Sequence, residues 1–198
     1  MSTASSKPRT RRAANAVKED PASAYDMTQL SEGVEQRTLA CIVDNEPGVL
    51  ARVVGLFSAR GYNIESLTVA EIDRDSHQSR ITIVTSGTDH ILEQIEQQLL
   101  RLVPVARVID VTNSTGGIER ELALVKVAGQ GDRRVEALRI SEIFRARVID
   151  TTNESFIFEI TGASSKIDQF VELMRALGLV EVSRTGVLSI QRGKEKAG

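Results

Sequence analysis

The chain of 198 residues has no tryptophan, and aromatic residues make up only 4% of it. Stacking of nucleic-acid bases needs aromatic platforms. A formal net charge of −2 supplies no whole-molecule field for a polyanion. No nucleic-acid partner is expected. The single cysteine, Cys41, cannot build an intrachain disulfide framework, which points to the cytoplasm. Set in Leu39-Ala40-Cys41-Ile42-Val43, it reads as a small buried hydrophobe rather than a reactive thiol. No apolar run approaches ~18 residues and no secretory h-region is present, so no membrane association is expected.

Chemistry-bearing motifs are equally scarce. The two histidines, His77 and His90, fall in a hairpin turn and at a helix start, with a strand between them. No HExxH, Cys–His cluster or calcium loop appears, so no metal site is expected. A nucleophile elbow and a Walker loop are also missing. Asp73 and Asp75 share a polar turn, where such residues are solvated turn formers. Gly129-Gln130-Gly131 is a lone glycine pair that suits a strand-to-helix turn. These residues outline no catalytic centre.

What is present is aliphatic and periodic. Hydrophobic residues make up 41% of the chain, enough for two small domains. Residues 1–35 are rich in Ser, Ala, Thr and charge and carry no helical apolar stripe, so a disordered tail is expected. Arg9, Arg11 and Arg12 read there as solvated charge.

Leu39 to Val43 suits a strand buried on both faces. Pro47 suits a first helical turn, with Asn45 or Glu46 near the cap. Leu50, Val53, Val54 and Phe57 give the helix its stripe, and Gly61 suits its end. Strands follow at Ile64–Ile72 and Arg80–Ile83. Thr88 or Asp89 caps a helix bearing Leu92, Ile95 and Leu99, which Pro104 terminates, and Val105 to Val111 forms a fourth strand. After a linker at Thr115-Gly116-Gly117 the order recurs about 80 residues on. It runs through a strand at Leu122 to Val127, a helix capped by Asp132 and a hairpin of Arg147–Thr151 with Phe156–Ile160. A helix capped by Ser164 or Ser165 and ended by Gly178 follows, then strand material from Val180 to Ile190. The fold class is α+β, two ferredoxin-like βαββαβ domains at 36–113 and 118–192. Arg107-Val108-Ile109-Asp110 and Arg147-Val148-Ile149-Asp150 fall in different slots of the two copies, and their match is read as coincidence.

The stretch Asp44-Asn45-Glu46-Pro47-Gly48-Val49-Leu50 carries the most functional information. A helix N-terminus offers unpaired N–H groups and a positive dipole end to a carboxylate. Gly48 lets a ligand approach the backbone, and the Asn45 amide can accept from an ammonium or donate to a carboxylate. Asn63 is expected at the same end of the sheet, with Val49, Leu50 and Ile64 lining an apolar pocket. Periodicity alone favours a plainer account, in which Asn45 caps the helix and Asn63 closes the Gly61 turn.

The wording of Asn45 to Gly48, Arg52-Val53-Val54-Gly55-Leu56-Phe57-Ser58 and Gly61 to Val69 resembles the small regulatory subunits of acetolactate (acetohydroxyacid) synthase. The likeness extends from about Arg37 to Arg192 and reverses that preference. The resemblance implies an N-terminal ACT domain that binds a branched-chain amino acid, valine above all, through Asn45, Pro47, Gly48, Val49, Leu50, Asn63 and Ile64. It implies a homodimer formed through the ACT domain, and a large catalytic subunit that alone carries thiamine diphosphate, Mg and FAD. This chain would then hold no cofactor and no active site. It would activate the large subunit and confer feedback inhibition. The alternative is a free-standing tandem ACT-type sensor acting on transcription, against which stands the lack of any preceding helix-turn-helix. An acylphosphatase-like enzyme is a third reading, which would need an Arg and an Asn converging on a phosphate.

Overall fold

The structure is a computed structural model in which residues 33–73, 75–113 and 117–194 are described. Residues 1–32 of the expected tail and 115–116 of the expected linker lie outside them. The chain begins with β1 (Glu35–Asp44), α1 (Val49–Arg60), β2 (Ser66–Asp73), β3 (Gln78–Gly87), α2 (Asp89–Leu99) and β4 (Val105–Asp110). The pattern then repeats as β5 (Ile118–Ala128), α3 (Asp132–Phe144), β6 (Arg147–Thr151), β7 (Ser155–Gly162), α4 (Ser164–Arg175) and β8 (Leu179–Arg184). A short β9 (Leu188–Ile190) follows. The two sheets run β2-β3-β1-β4 and β6-β7-β5-β8, so the expected βαββαβ plan occurs twice. The strand material after Gly178 divides into β8 and β9, both paired with β5.

β1 is central because its apolar run satisfies both faces. Leu39 through Val43 are at most 1% exposed. Leu39, Cys41 and Val43 pack with Val53 and Phe57 of α1 and Leu92, Ile95 and Leu99 of α2, while Ala40 clusters separately with Ile109 and Val111. Burial pushes the Cys41 thiol up to about 12, so the thiolate needed for reactivity is absent near neutral pH. The second core gathers Phe156, Phe158 and Phe170 around Ile160, Ile167 and Met174. Phe158 meets Phe170 edge to face at 6.0 Å, a preferred ring arrangement.

Helix starts differ from expectation. Thr88 does cap α2, its side chain accepting from the Ile91 N–H at 3.5 Å. α1 is capped by Gly48, not by Asn45 or Glu46, and Pro47 lies in the turn before the helix. With the helix starting at Val49, the buried stripe is Val49, Val53, Leu56 and Phe57, leaving Leu50 39% exposed. Gly131 rather than Asp132 caps α3, and Ala163 rather than Ser164 or Ser165 caps α4; neither cap supplies a side-chain hydrogen bond. Arg107–Asp110 lies in β4 and Arg147–Asp150 in β6, two different slots of the plan.

Candidate ligand site at the β1–α1 turn

The β1–α1 turn is held by its backbone. The Asp44 N–H donates to the Pro104 carbonyl at 2.9 Å, and the Asn45 N–H donates to the His77 carbonyl at 2.7 Å. Those bonds tie the turn to the α2–β4 connection and to the β2–β3 hairpin. Gly48 then takes φ +86°, a left-handed conformation that swings the chain into α1. A side chain there would be strained by roughly 1–2 kcal/mol, although a Cβ would meet nothing within 4 Å. The left-handed angle, more than crowding, explains the glycine.

This geometry leaves donors open. The Val49 N–H reaches the Glu46 carbonyl at 3.3 Å and the Arg52 N–H the Gly48 carbonyl at 3.1 Å. Among the described residues, the N–H groups of Gly48, Leu50 and Ala51 have no acceptor, and no side chain caps the helix. Residues 44–48 are all exposed. The Asn45 side chain is solvent-facing and has no hydrogen-bond partner among the described residues. An anion arriving here meets free backbone donors at the positive end of a helix dipole.

Within one chain the seven expected residues fall at two places. Asn45, Pro47, Gly48 and Leu50 line the open turn, but Val49 is turned into the core at 7% exposure. Asn63 and Ile64 lie at the other end of the sheet. Asp44 is level with Gln78, as is Asp73 at the end of β2. The Asn63 carbonyl instead accepts from Thr85 Oγ1 at 2.6 Å, and Thr85 is level with Arg37. Seven strand residues separate the two levels, roughly 20 Å. The physical reason is the parallel crossover, in which β1 and β2 start at the same end, so the residue after β1 and the residue before β2 are far apart. Ile64, half-buried, packs against the first core. Asn63 is exposed, and its amide has no partner among the described residues.

Other titratable groups belong to structure. Asp73 accepts from the Asp75 N–H at 3.0 Å and from Ser76 Oγ at 2.7 Å, closing the hairpin turn. His90 pairs with Gln94 at 2.9 Å. Arg37, 8% exposed, bridges Asp89 and Asp110. Among the described residues no group of three or more His, Cys, Asp or Glu could hold a metal ion, and no helix is long and apolar enough to cross a membrane.

Comparison with known proteins adds what geometry alone does not name. Residues 39–107 match the family described as AHAS small subunit-like ACT domain, and residues 120–193 match the small subunit of acetolactate synthase. The chain is 45% identical over 161 residues to a probable acetolactate synthase small subunit of Archaeoglobus fulgidus, covering 81% of this chain and 99% of that one. It is 46% identical over 159 residues to the isozyme 3 small subunit of Escherichia coli, covering 80% and 96%. The crystal structure of the small subunit from Thermotoga maritima superposes with a TM-score of 0.73 at 38% identity, over 81% of this chain and 99% of that chain.

Proposed function

We propose, for a chain that belongs to the family of acetolactate synthase small subunits, a regulatory role without a catalytic centre of its own. It activates a large catalytic subunit in the cytoplasm and confers feedback inhibition by a branched-chain amino acid, valine first. Thiamine diphosphate, Mg and FAD then belong to the large subunit. The observation that carries this reading is the β1–α1 turn, where Gly48 starts α1 with no side-chain cap. The effector's carboxylate takes the open N–H donors, and the Asn45 amide accepts from its ammonium.

The separation of Asn45 from Asn63 supports a site completed by a second copy. β2 is an edge strand with an unpaired backbone side. Two copies joined antiparallel along β2 bring Asn63 of one to the end of the sheet that carries Asn45 of the other. One effector can then touch both, with Leu50 beside it, and its binding is linked to the relative placement of two sheets. A coupling of only about 1–3 kcal/mol changes activity several- to hundredfold. The domains are assigned accordingly, 36–113 to effector binding and 118–192 to communication with the large subunit, and the region before 36 to neither.

Reconstitution tests this. The purified chain alone should make no acetolactate, should raise the rate of its large subunit, and should render that rate sensitive to valine. Acetolactate formation by the chain alone, or a large subunit indifferent to its addition, overturns the reading.

A further inference from the structure

The strand that follows Asn63 and Ile64 is gripped by the second repeat. The Val187 N–H donates to Ser66 Oγ at 2.9 Å, and Thr68 Oγ1 donates to the Val187 carbonyl at 3.1 Å. Val187 is 7% exposed. Beside it Gly186 takes φ +82°, and a Cβ there would lie 2.7 Å from Ser66 Oγ and 2.9 Å from Thr68 Cγ2. Glycine is thus required twice over, by its left-handed angle and by the closeness of β2. The contact spans 121 residues of sequence and ties the loop between β8 and β9 to the first turn of an edge strand.

The same loop is fastened hard to its own repeat. The Thr185 N–H donates to the Leu122 carbonyl at 3.0 Å, and the Leu122 N–H donates to Thr185 Oγ1 at 3.1 Å. Next to it, Arg184 forks Glu121 through Nε at 2.8 Å and Nη2 at 2.6 Å, and reaches Asp168 of α4 through Nη1 at 2.6 Å. Glu121 is 5% exposed and also accepts from Ser164 Oγ at 3.1 Å. A forked, charge-assisted pair of this kind fixes geometry as well as energy. Alongside the contact lies a polar cleft of about 650 Å³, lined from both repeats by groups that include Glu65, Glu119, Asp168 and Ser165. The loop is therefore rigid on the β5 side, narrow on the β2 side, and flanked by room to move.

We infer that Thr185-Gly186-Val187 is the coupling link by which effector occupancy at the start of β2 reaches the second repeat. The inference rests on the effector reading of Asn63 and Ile64. Ser66 lies three residues beyond Asn63, so a ligand that draws on Asn63 displaces the same stretch of backbone that holds the loop. Two hydrogen bonds and a glycine contact must follow that displacement or break. Following it moves β5 and α4 through Thr185, Arg184 and Glu121. Coupling of this sort is a contiguous element whose placement both ends bias.

The test uses the full chain with its large subunit and valine as the probe. Ser66→Ala and Thr68→Val each remove one hydrogen bond without adding bulk; Gly186→Ala adds the forbidden Cβ. Three quantities are read: valine affinity of the free chain by calorimetry, inhibition of the reconstituted synthase, and amide hydrogen exchange across residues 185–188 with and without valine. In the unsubstituted protein valine should change exchange at Val187. In the variants valine should bind with unchanged affinity, that exchange response should vanish, and most of the inhibition should be lost while activation remains. Variants inhibited as fully as the parent overturn the inference, as does exchange at 185–188 that ignores valine in the parent. Loss of valine binding in Ser66→Ala or Thr68→Val also overturns it, since the loop would then belong to the effector site itself. If Gly186→Ala does not fold, the other two variants decide the matter. A parent chain that neither binds valine nor confers inhibition refutes the effector reading instead, and is seen before any variant is made.

Discussion

Asn45 and Gly48 stand three residues apart, and the structure gives them separate tasks. Gly48 makes the turn: its φ of +86° is the bend between β1 and α1. Asn45 contributes its backbone N–H to the His77 carbonyl and leaves its amide in solvent. Had Asn45 been the helix cap, Asn45→Ala would lose about 1 kcal/mol of stability. Because it is not, the substitution should leave thermal unfolding within the ±0.5 kcal/mol typical of surface changes. Valine affinity should nevertheless fall about ten- to hundredfold, the ~1–3 kcal/mol of a polar partner lost against ligand. Gly48→Asp should still fold, at a cost of roughly 1–2 kcal/mol from the left-handed angle, since nothing crowds a Cβ there, while its carboxylate competes for the open donors and repels the effector's own. Synthase reconstituted with either variant should remain activated yet resist valine. Calorimetry and unfolding curves on the same preparations check both halves, and unchanged valine inhibition in two folded variants would leave this turn with a structural role alone. The ingredients of the turn were legible in the sequence. The separation of Asn63 from it was implicit in the strand–helix–strand order, because a parallel crossover puts those two positions at opposite ends.

Elements were more legible than their edges. Leu39 to Val43 announced a doubly buried strand, and Leu92, Ile95 and Leu99 announced the buried face of α2, which they form. At the starts of α1, α3 and α4, good capping residues stand nearby, yet Gly48, Gly131 and Ala163 take the cap position. Polar residues beside a helix start signal its existence, but tertiary geometry selects the residue that caps it. α4 is thus improvable. Ala163 has extended backbone angles, is exposed, and offers no side-chain acceptor, so Ala163→Ser should raise stability by about 0.5–2 kcal/mol, read from denaturant midpoints. In α2 the penalty is electrostatic. Glu96 lies in its C-terminal half, and its pKa is raised above 4.5, first by burial, then by Asp110, with Glu93 adding to it and Arg37 opposing. The folded state therefore holds this proton more tightly than the unfolded chain, so stability declines as pH rises through that raised range. Glu96→Gln should raise the melting temperature at pH 7, with the gain shrinking as pH falls and disappearing below the ordinary glutamate range. A gain that persists at pH 3 would place its origin in packing instead.

At the scale of the whole molecule, the repeated βαββαβ plan leaves the second strand of each copy, β2 and β6, at the edge of its sheet. An edge strand is a template for another chain unless it is short, charged or covered. β2 has eight residues, with Val69 and Ile72 each 47% exposed, and it needs a partner more than a solvent-facing strand should. Val69 lies at the middle of β2, so an antiparallel two-fold pairing places the two copies of Val69 within a residue or so of the axis. Val69→Glu then sets two carboxylates against each other across the seam, where like charges destabilise. In a monomer the same change is exposed and inexpensive. The variant should therefore melt nearly as the parent does when dilute, and on the proposed pairing the parent should sediment as a dimer at concentrations where the variant sediments as a monomer. In the proposed pairing Asn45 and Asn63 meet across that seam, so valine affinity should fall together with dimerisation. Sedimentation equilibrium and calorimetry measured over the same concentration range separate the outcomes. A Val69→Glu protein that stays dimeric and binds valine normally would move the interface away from β2, and a monomer that still binds valine would return the whole site to one chain.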